Sequence, residues 1–337
     1  MIFPSKYKSL TRQVYGIGGY QIVPIRFVDR YNIMDWRNEQ IFHLRQSEPL
    51  TAKMQDAYFE NVVSKLFTND KPSQILFSFL KDEECIGYGG LVHINWIDKN
   101  AEVSFVMNTN LQELFFEKLW IEFLNLIKQP AFKALNLRKI YTYAFDVRKR
   151  LYPALESAGF SLDARLREHC FVGGQYRDVL VHSFWNPIVN LEIRYAQEDD
   201  VNLYFRWAND PGVRQNSFQS DPIVFKNHLE WFNKKLNSDR AQLYVFEVLG
   251  KPIGQFRIDK LENDWVIDYS VDTSYRRLGA GKAMINHFIM SDSYHSLDGP
   301  LKAAVKLSNI SSQRVFEQLG FLKKEEVNQI IIYQYQV

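Results

Sequence analysis

Cysteine is scarce: Cys85 and Cys170 are the only two in 337 residues. They are too few and too far apart for a disulfide framework or a metal site, so no metal is expected. Net charge is nearly absent as well, +2 from 41 Lys and Arg against 39 Asp and Glu. Nothing pulls the chain as a whole toward nucleic acid or an anionic membrane, and any polyanion site must be local. No run approaches the ~20 apolar residues that a membrane span requires. Met1-Ile2-Phe3-Pro4-Ser5-Lys6 lacks the charged-then-apolar pattern of a secretory signal. A reducing cytoplasm is the expected location, without membrane insertion or a nucleic-acid partner. What is present is 46% apolar and 15% aromatic residues, enough for two filled cores in a chain long enough for two domains.

The most informative stretch is Arg276-Arg277-Leu278-Gly279-Ala280-Gly281-Lys282. It follows a strand-like run, Trp265 to Val271, and opens a helix-like run, Ala283 to Ile289. Two glycines let a strand-to-helix turn curl tightly, so that successive N–H groups and the positive helix end face one anion. Arg276, Arg277 and Lys282 add positive charge around it. A Walker loop needs four residues between its glycines, and the dinucleotide fingerprint needs a third glycine; this turn has neither.

Arg276-x-x-Gly279-x-Gly281 resembles the pyrophosphate loop of the GCN5-related N-acetyltransferases (GNAT). Leu301 to Asn309, followed by Ser312 to Gly320-Phe321, resembles the strand, short helix and Gly-Phe that come next in that superfamily. The resemblance implies that coenzyme A lies between the splayed fourth and fifth strands. It would be held by the backbone of Tyr269, Ser270 and Val271, by Arg276, Arg277, Leu278, Gly279, Ala280, Gly281 and Lys282, and by Asn309 and Phe316. Many relatives carry a proton-donating tyrosine where this chain has Phe316, which cannot donate; this points to catalytic groups in the first half.

The same plan is written twice. Asp35-Trp36-Arg37-Asn38 and Leu44-Arg45-Gln46 match Arg206-Trp207-Ala208-Asn209 and Val213-Arg214-Gln215. Ile86-Gly87 matches Ile253-Gly254, Glu102 to Val106 matches Asp268 to Asp272, and both halves close on Gly-Phe, at Gly159-Phe160 and Gly320-Phe321. The interval is domain-sized rather than solenoid-like. The expected fold is α+β: two tandem GNAT-like domains, 1–186 and 187–337, each a mixed, mostly antiparallel sheet flanked by helices. Pro187 marks the join.

The halves are not equivalent. Where the second has its glycine loop, the first reads Asn108 to Phe116, without glycine or arginine and with Glu113, a poor diphosphate cradle. The second domain is therefore expected to hold coenzyme A and the first the acceptor. Strand-like Gly87 to Trp96 puts His93 and Asn95 two apart, on one face. A hairpin through Ile97 to Asn100 would bring Glu102 close to Asn95. Glu102 is the leading candidate base, because a buried carboxylate is costly without a partner or a task; His93, Asn95 and Asp268 are the other catalytic candidates. His93 also reads as an ordinary sheet histidine, and Asn95 as a hairpin-end residue.

The first half, from Trp36 through Trp96, is similar to two-domain N-acyltransferases of the anthrose-pathway type, which modify the 4-amino group of nucleotide-linked dideoxysugars. The resemblance implies an acyl-CoA-dependent N-acyltransferase using acetyl-CoA or a short-chain hydroxyacyl-CoA on a nucleotide-sugar amine. Arg37, Arg45 and Lys53 are candidates to meet a nucleotide diphosphate, and Trp36 or Tyr88 to stack on a base or sugar. Tyr152 is a displaced proton-donor candidate, read chiefly as structural. Proton energetics agree: keeping an amine of pKa near 8 neutral at pH 7 costs roughly 1 kcal/mol, against more than about 4 kcal/mol for a lysine. The alternatives are a peptide or ribosomal-protein N-acetyltransferase and a non-catalytic acyl-CoA-binding module.

Overall fold

The computed structural model describes residues 3–336; Met1, Ile2 and Val337 lie outside the described residues. The chain divides into two compact units after Asn186, and each has its own sheet. In the first, strands β1 (Tyr15–Ile17), β2 (Tyr20–Pro24), β3 (Ile75–Lys81), β4 (Glu84–Asn95), β5 (Asn100–Met107), β6 (Lys139–Phe145), β7 (Ser161–Val172) and β8 (Gln175–Trp185) lie in the order β1-β2-β3-β4-β5-β6-β8-β7. In the second, β9 (Leu191–Tyr195), β10 (Ala241–Val248), β11 (Lys251–Leu261), β12 (Asp264–Val271), β13 (Leu301–Lys306), β14 (Phe321–Val327) and β15 (Ile330–Tyr335) lie in the order β14-β15-β13-β12-β11-β10-β9. The second order repeats β2 to β8 of the first strand for strand. Each sheet is antiparallel except at one pair, β5 with β6 and β12 with β13.

Those parallel pairs are short, and that shortness makes a fork. The β5–β6 ladder runs from Asn100↔Lys139 to Glu102↔Tyr141 and stops, while β5 stays paired with β4 up to Met107. Likewise β12 meets β13 from Trp265 to Ile267 but follows β11 up to Val271. Backbone that leaves a ladder must find other partners or face a cavity or ligand.

Apolar periodicity explains the helices over the sheets. Gln112–Gln129 buries Phe116, Leu119, Trp120, Phe123, Leu124 and Ile127 along one stripe, and Pro130 ends its regular pattern. Phe105 of β5 stacks on Phe123 with ring centroids 4.1 Å apart and meets Trp120 edge-on at 5.0 Å. In the second unit Ala280–Ile289 buries Met284, Ile285, Phe288 and Ile289, with Phe288 4.5 Å from Phe256. Burying each such side chain stabilises by about 1.5–3 kcal/mol. Both Gly-Phe stations close a helix, with Gly159 and Gly320 each at φ 85 and Phe160 and Phe321 buried behind them.

The repeat is shifted by two residues from the sequence match. The Asn108 N–H donates to Ile86 O and the Asp272 N–H to Ile253 O, both at 2.8 Å. Each side chain then caps the following 3₁₀ turn, by accepting from Asn110 N and Ser274 N respectively. Asn108 is therefore the counterpart of Asp272, so Asp268 corresponds to Ser104 rather than to Glu102.

Candidate active site

The first unit has a cavity of about 390 Å³ at its fork, lined from β5 by Glu102, Val103, Ser104 and Phe105 and from β6 by Thr142 to Phe145. Glu102 stands at the last rung of the parallel ladder. Its side chain is only 12% exposed, 3.4 Å from Arg45 Nη2 and 4.0 Å from His93 Nε2. Burial raises its pKa above the ordinary carboxylate range, and Arg45 and then His93 offset only part of that. A carboxylate in this state holds a proton more readily than a surface glutamate.

His93 reaches Glu102 because of a bulge. The β4–β5 register runs Val92↔Glu102 and then jumps to Asn95↔Asn100, and His93 takes the extra place at φ 50. Regular alternation fails here. Asn95 is not beside Glu102: its Oδ1 accepts from Ile97 N and Asp98 N, and its Nδ2 donates to Asp98. The expected convergence of three groups is a pair, His93 and Glu102, with Arg45 added.

The expected substrate residues divide similarly. Arg37 and Arg45 line the cavity. Arg37 donates to Tyr88 Oη at 2.6 Å and to Gln46 Oε1 at 3.0 Å, and Arg45 lies 4.3 Å over the Tyr143 ring. Trp36 and Tyr88 are both buried, so neither offers a face for stacking; Trp36 is core and Tyr88 anchors Arg37. Lys53 is exposed, on the helix Ala52–Tyr58, and does not line the cavity. The Tyr152 hydroxyl donates to Asp146 at 2.5 Å, and its ring stacks on His182.

Three cavity residues escaped the sequence reading. His43 is buried, and its Nδ1 has no hydrogen-bond partner; burial first, then the charge of Arg148, lower its pKa to about 3. The Thr142 hydroxyl is likewise buried and unpartnered. Arg148 faces the Trp120 ring at 5.7 Å. Its place in a charged turn, Asp146 to Arg150, gives no sequence signal beyond a solvated loop.

In the second unit the glycine loop lies between a 3₁₀ turn, Thr273–Tyr275, and the helix that begins at Ala280. Gly279 caps that helix at φ 91, a conformation costly for residues with a Cβ. A Cβ on Gly281 would sit 3.0 Å from the Tyr269 ring, so this glycine sets how closely helix and β12 pack. The N–H groups of Ala280, Gly281 and Lys282 open the helix and have no intrahelical acceptor. Arg277 and Lys282 are exposed beside them, with Lys282 3.3 Å from Gln318. Leu278 and Ala280 are buried and offer only backbone. These features fit the diphosphate of coenzyme A.

Arg276, Asn309 and Phe316, also of the expected set, make contacts within the fold. Arg276 donates to Val271 O at 2.9 Å and to Asp210 Oδ1 at 2.7 Å, bracing the loop. Asn309 caps the helix Ile310–Gln318 through Ser312 N. Phe316 is 2% exposed, packed on Phe321, Tyr333 and the edge of Tyr269. The Tyr269 hydroxyl lies 3.2 Å from Ser312 Oγ. Ser270 has a buried, unpartnered hydroxyl, and Val271 ends β12. Asp268 is half-exposed, accepts from Gln255 and lies 3.6 Å from Arg257. In the first unit nothing equivalent to the loop exists: the helix starts at Gln112 directly after the 3₁₀ turn Thr109–Leu111.

Among the described residues no helix is long and apolar enough to cross a membrane, and no cluster of His, Cys, Asp and Glu could hold a metal ion. Comparison with curated proteins gave no match. Among solved structures, the chain is similar to spermidine N-acetyltransferase of Vibrio cholerae in a mutant form, at 21% identity and a TM-score of 0.42 over 50% of this chain and 94% of that one. The same enzyme in complex with CoA and spermine gives 22% identity and a TM-score of 0.41 over 50% and 95%. A domain from Methanocaldococcus jannaschii gives 17% and 0.39 over 44% and 98%. Residues 22–181 match one family model, and residues 190–322 another, both described as an acetyltransferase (GNAT) domain. Together with the two forked sheets, these matches make the chain a member of the GNAT acetyltransferases, two such domains in tandem, and an acyl-CoA-dependent N-acyltransferase.

Proposed function

We propose that the chain acylates the amino group of a nucleotide-linked 4-amino-4,6-dideoxysugar, with coenzyme A on the second domain and the acceptor on the first. The observation that carries this reading is Glu102, a buried carboxylate of raised pKa at the mouth of a fork that has lost its glycine loop. Bound acyl-CoA supplies an acyl group activated as a thioester. The chain's own residues then have two tasks: to orient the amine and to take its proton. Glu102 takes the proton directly or through water, and Arg45 and His93 hold the carboxylate in place. Such general-base assistance contributes typically ~10²–10⁴-fold in rate.

Charge supports the acceptor class. Three guanidinium groups and one carboxylate line the cavity, so an anionic substrate is attracted and a polycation repelled. A weakly basic carboxylate also suits an amine that is easily neutralised better than a lysine. Release of free CoA, followed with a thiol reagent across nucleotide-linked 4-amino-4,6-dideoxysugars and lysine-bearing peptides, tests the reading. Turnover confined to the peptides overturns it in favour of a protein acetyltransferase, and turnover with none in favour of a binding module.

A further inference from the structure

Arg148 is the odd group in the fork cavity. Of the three arginines that line it, Arg37 is held by Tyr88 and Gln46 and Arg45 by Glu102. Arg148 has an aromatic ring at 5.7 Å and a like charge, Arg150, nearby. Burial and then Arg150 both work against its charge, bringing its pKa to about 10, still well above neutrality. A guanidinium held charged without a counter-ion is costly for a fold, and a hydrophobic replacement is often better tolerated. Two further unpartnered polar atoms line the same space, His43 Nδ1 and Thr142 Oγ1. Two buried polar atoms in one cavity thus lack the partners that such groups ordinarily have, beside a half-buried guanidinium without a counter-ion.

The charge count narrows what completes them. Three guanidinium groups against the single carboxylate of Glu102 leave two positive charges uncompensated, and a diphosphate diester carries two negative ones. We propose that Arg148 anchors the diphosphate of the acceptor substrate in the fork cavity of the first domain, with Arg37 beside it and the Thr142 hydroxyl donating to the same group. His43 Nε2 lies 3.4 Å from Gln40 Oε1, an oxygen that can only accept, so the neutral ring keeps its lone pair on Nδ1 and accepts from a hydroxyl of the same ligand. The planar fork of an arginine suits two phosphate oxygens at once. The first domain has thus kept the forked sheet of its twin while exchanging a glycine loop for side-chain cations. This inference rests on the acceptor reading above only in assigning the diphosphate to the acceptor.

Titration calorimetry on the full chain, without turnover, tests it with coenzyme A alone and with inorganic pyrophosphate and UDP titrated into the chain saturated with coenzyme A, so that the glycine loop of the second domain is already filled. Wild type binds pyrophosphate and UDP; Arg148→Gln weakens both at least tenfold and leaves coenzyme A within twofold. No binding by wild type at millimolar probe, or unchanged binding by Arg148→Gln, overturns the proposal. Loss of coenzyme A binding in that variant overturns it too, because the cavity then belongs to the carrier. A fold check accompanies this: ligand-free Arg148→Met should melt at or above the wild-type temperature, and a lower melting temperature marks a structural arginine instead. Glu102→Gln separates the two readings. UDP binding retained with turnover lost leaves both standing, whereas UDP binding through Arg148 without turnover on any amino sugar leaves only the anion site.

Discussion

Arg276 donates to Asp210 Oδ1 at 2.7 Å, so the first basic residue of the glycine loop is spent on holding that loop. Asp210 is a junction: it also caps the helix Pro211–Asn216 through Val213 N and accepts from the Thr273 hydroxyl. The Arg276 side chain is about a third exposed, which screens the pair. Arg276→Ala should therefore cost only about 1 kcal/mol, read as a lower urea midpoint. A double-mutant cycle with Asp210→Asn should show coupling of roughly 0.5 kcal/mol or more. Strict additivity would show that the pair braces nothing.

Gly279 is the loop position where a side chain is least tolerable. Its φ is 91, and an added Cβ would lie 3.3 Å from Ile188 Cδ1. Gly279→Ala should destabilise the second domain by roughly 1–3 kcal/mol and weaken coenzyme A binding in a calorimetric titration. An unchanged affinity for coenzyme A would remove this turn from the carrier site.

Glu102→Gln should reduce kcat/KM about 10²–10⁴-fold with coenzyme A affinity unchanged. Because burial already raises the Glu102 pKa against the lowering effect of Arg45, the acid limb of the kcat/KM profile should lie above the usual carboxylate range. Arg45→Gln removes a charge that favours the ionised form, so the limb should move to still higher pH. Movement to lower pH would contradict the assignment.

His43 couples stability to pH. Its pKa falls from 6.5 to about 3 in the folded chain, so below pH 6.5 the unfolded state binds a proton that the folded state refuses. The contribution is complete above pH 6.5 and is lost progressively as pH falls toward 3. Between pH 7.5 and 4.5 wild type should lose roughly 3 kcal/mol more than His43→Gln, measured by urea unfolding followed through tryptophan fluorescence. Equal losses would mean that His43 is not desolvated.

Much of the plan was legible because it rests on local chemistry. Gly279 and the two Gly-Phe stations are marked by backbone conformations that other residues adopt reluctantly, Gly281 by the close approach of its helix to Tyr269, and the helix stripe of Phe116, Trp120 and Phe123 by its period. The repeat was legible in order but not in register. A strand alternates every two residues, so sliding Glu102 onto Asp268 preserves every inward and outward position. Only the capping bonds of Asn108 and Asp272 fix the true alignment. Asn95 was misplaced because one extra residue, His93, breaks the alternation on which the reading depended.

By itself, then, the order of residues determined two repeated halves of alternating strands and helices, a glycine turn at a strand-to-helix junction in the later one, and the absence of that turn in the earlier one. Each depends on neighbours a few positions apart, within reach of propensity, periodicity and turn geometry. Tertiary structure alone decided which charges share a space: Arg37 and Arg45 from the opening segment, Glu102 from β5, and Arg148 from beyond β6. Electrostatics and desolvation act through distance and burial, not through chain position, so Trp36 and Phe316 were withdrawn into cores while Arg148, one charge among several in a turn, emerged facing the cavity.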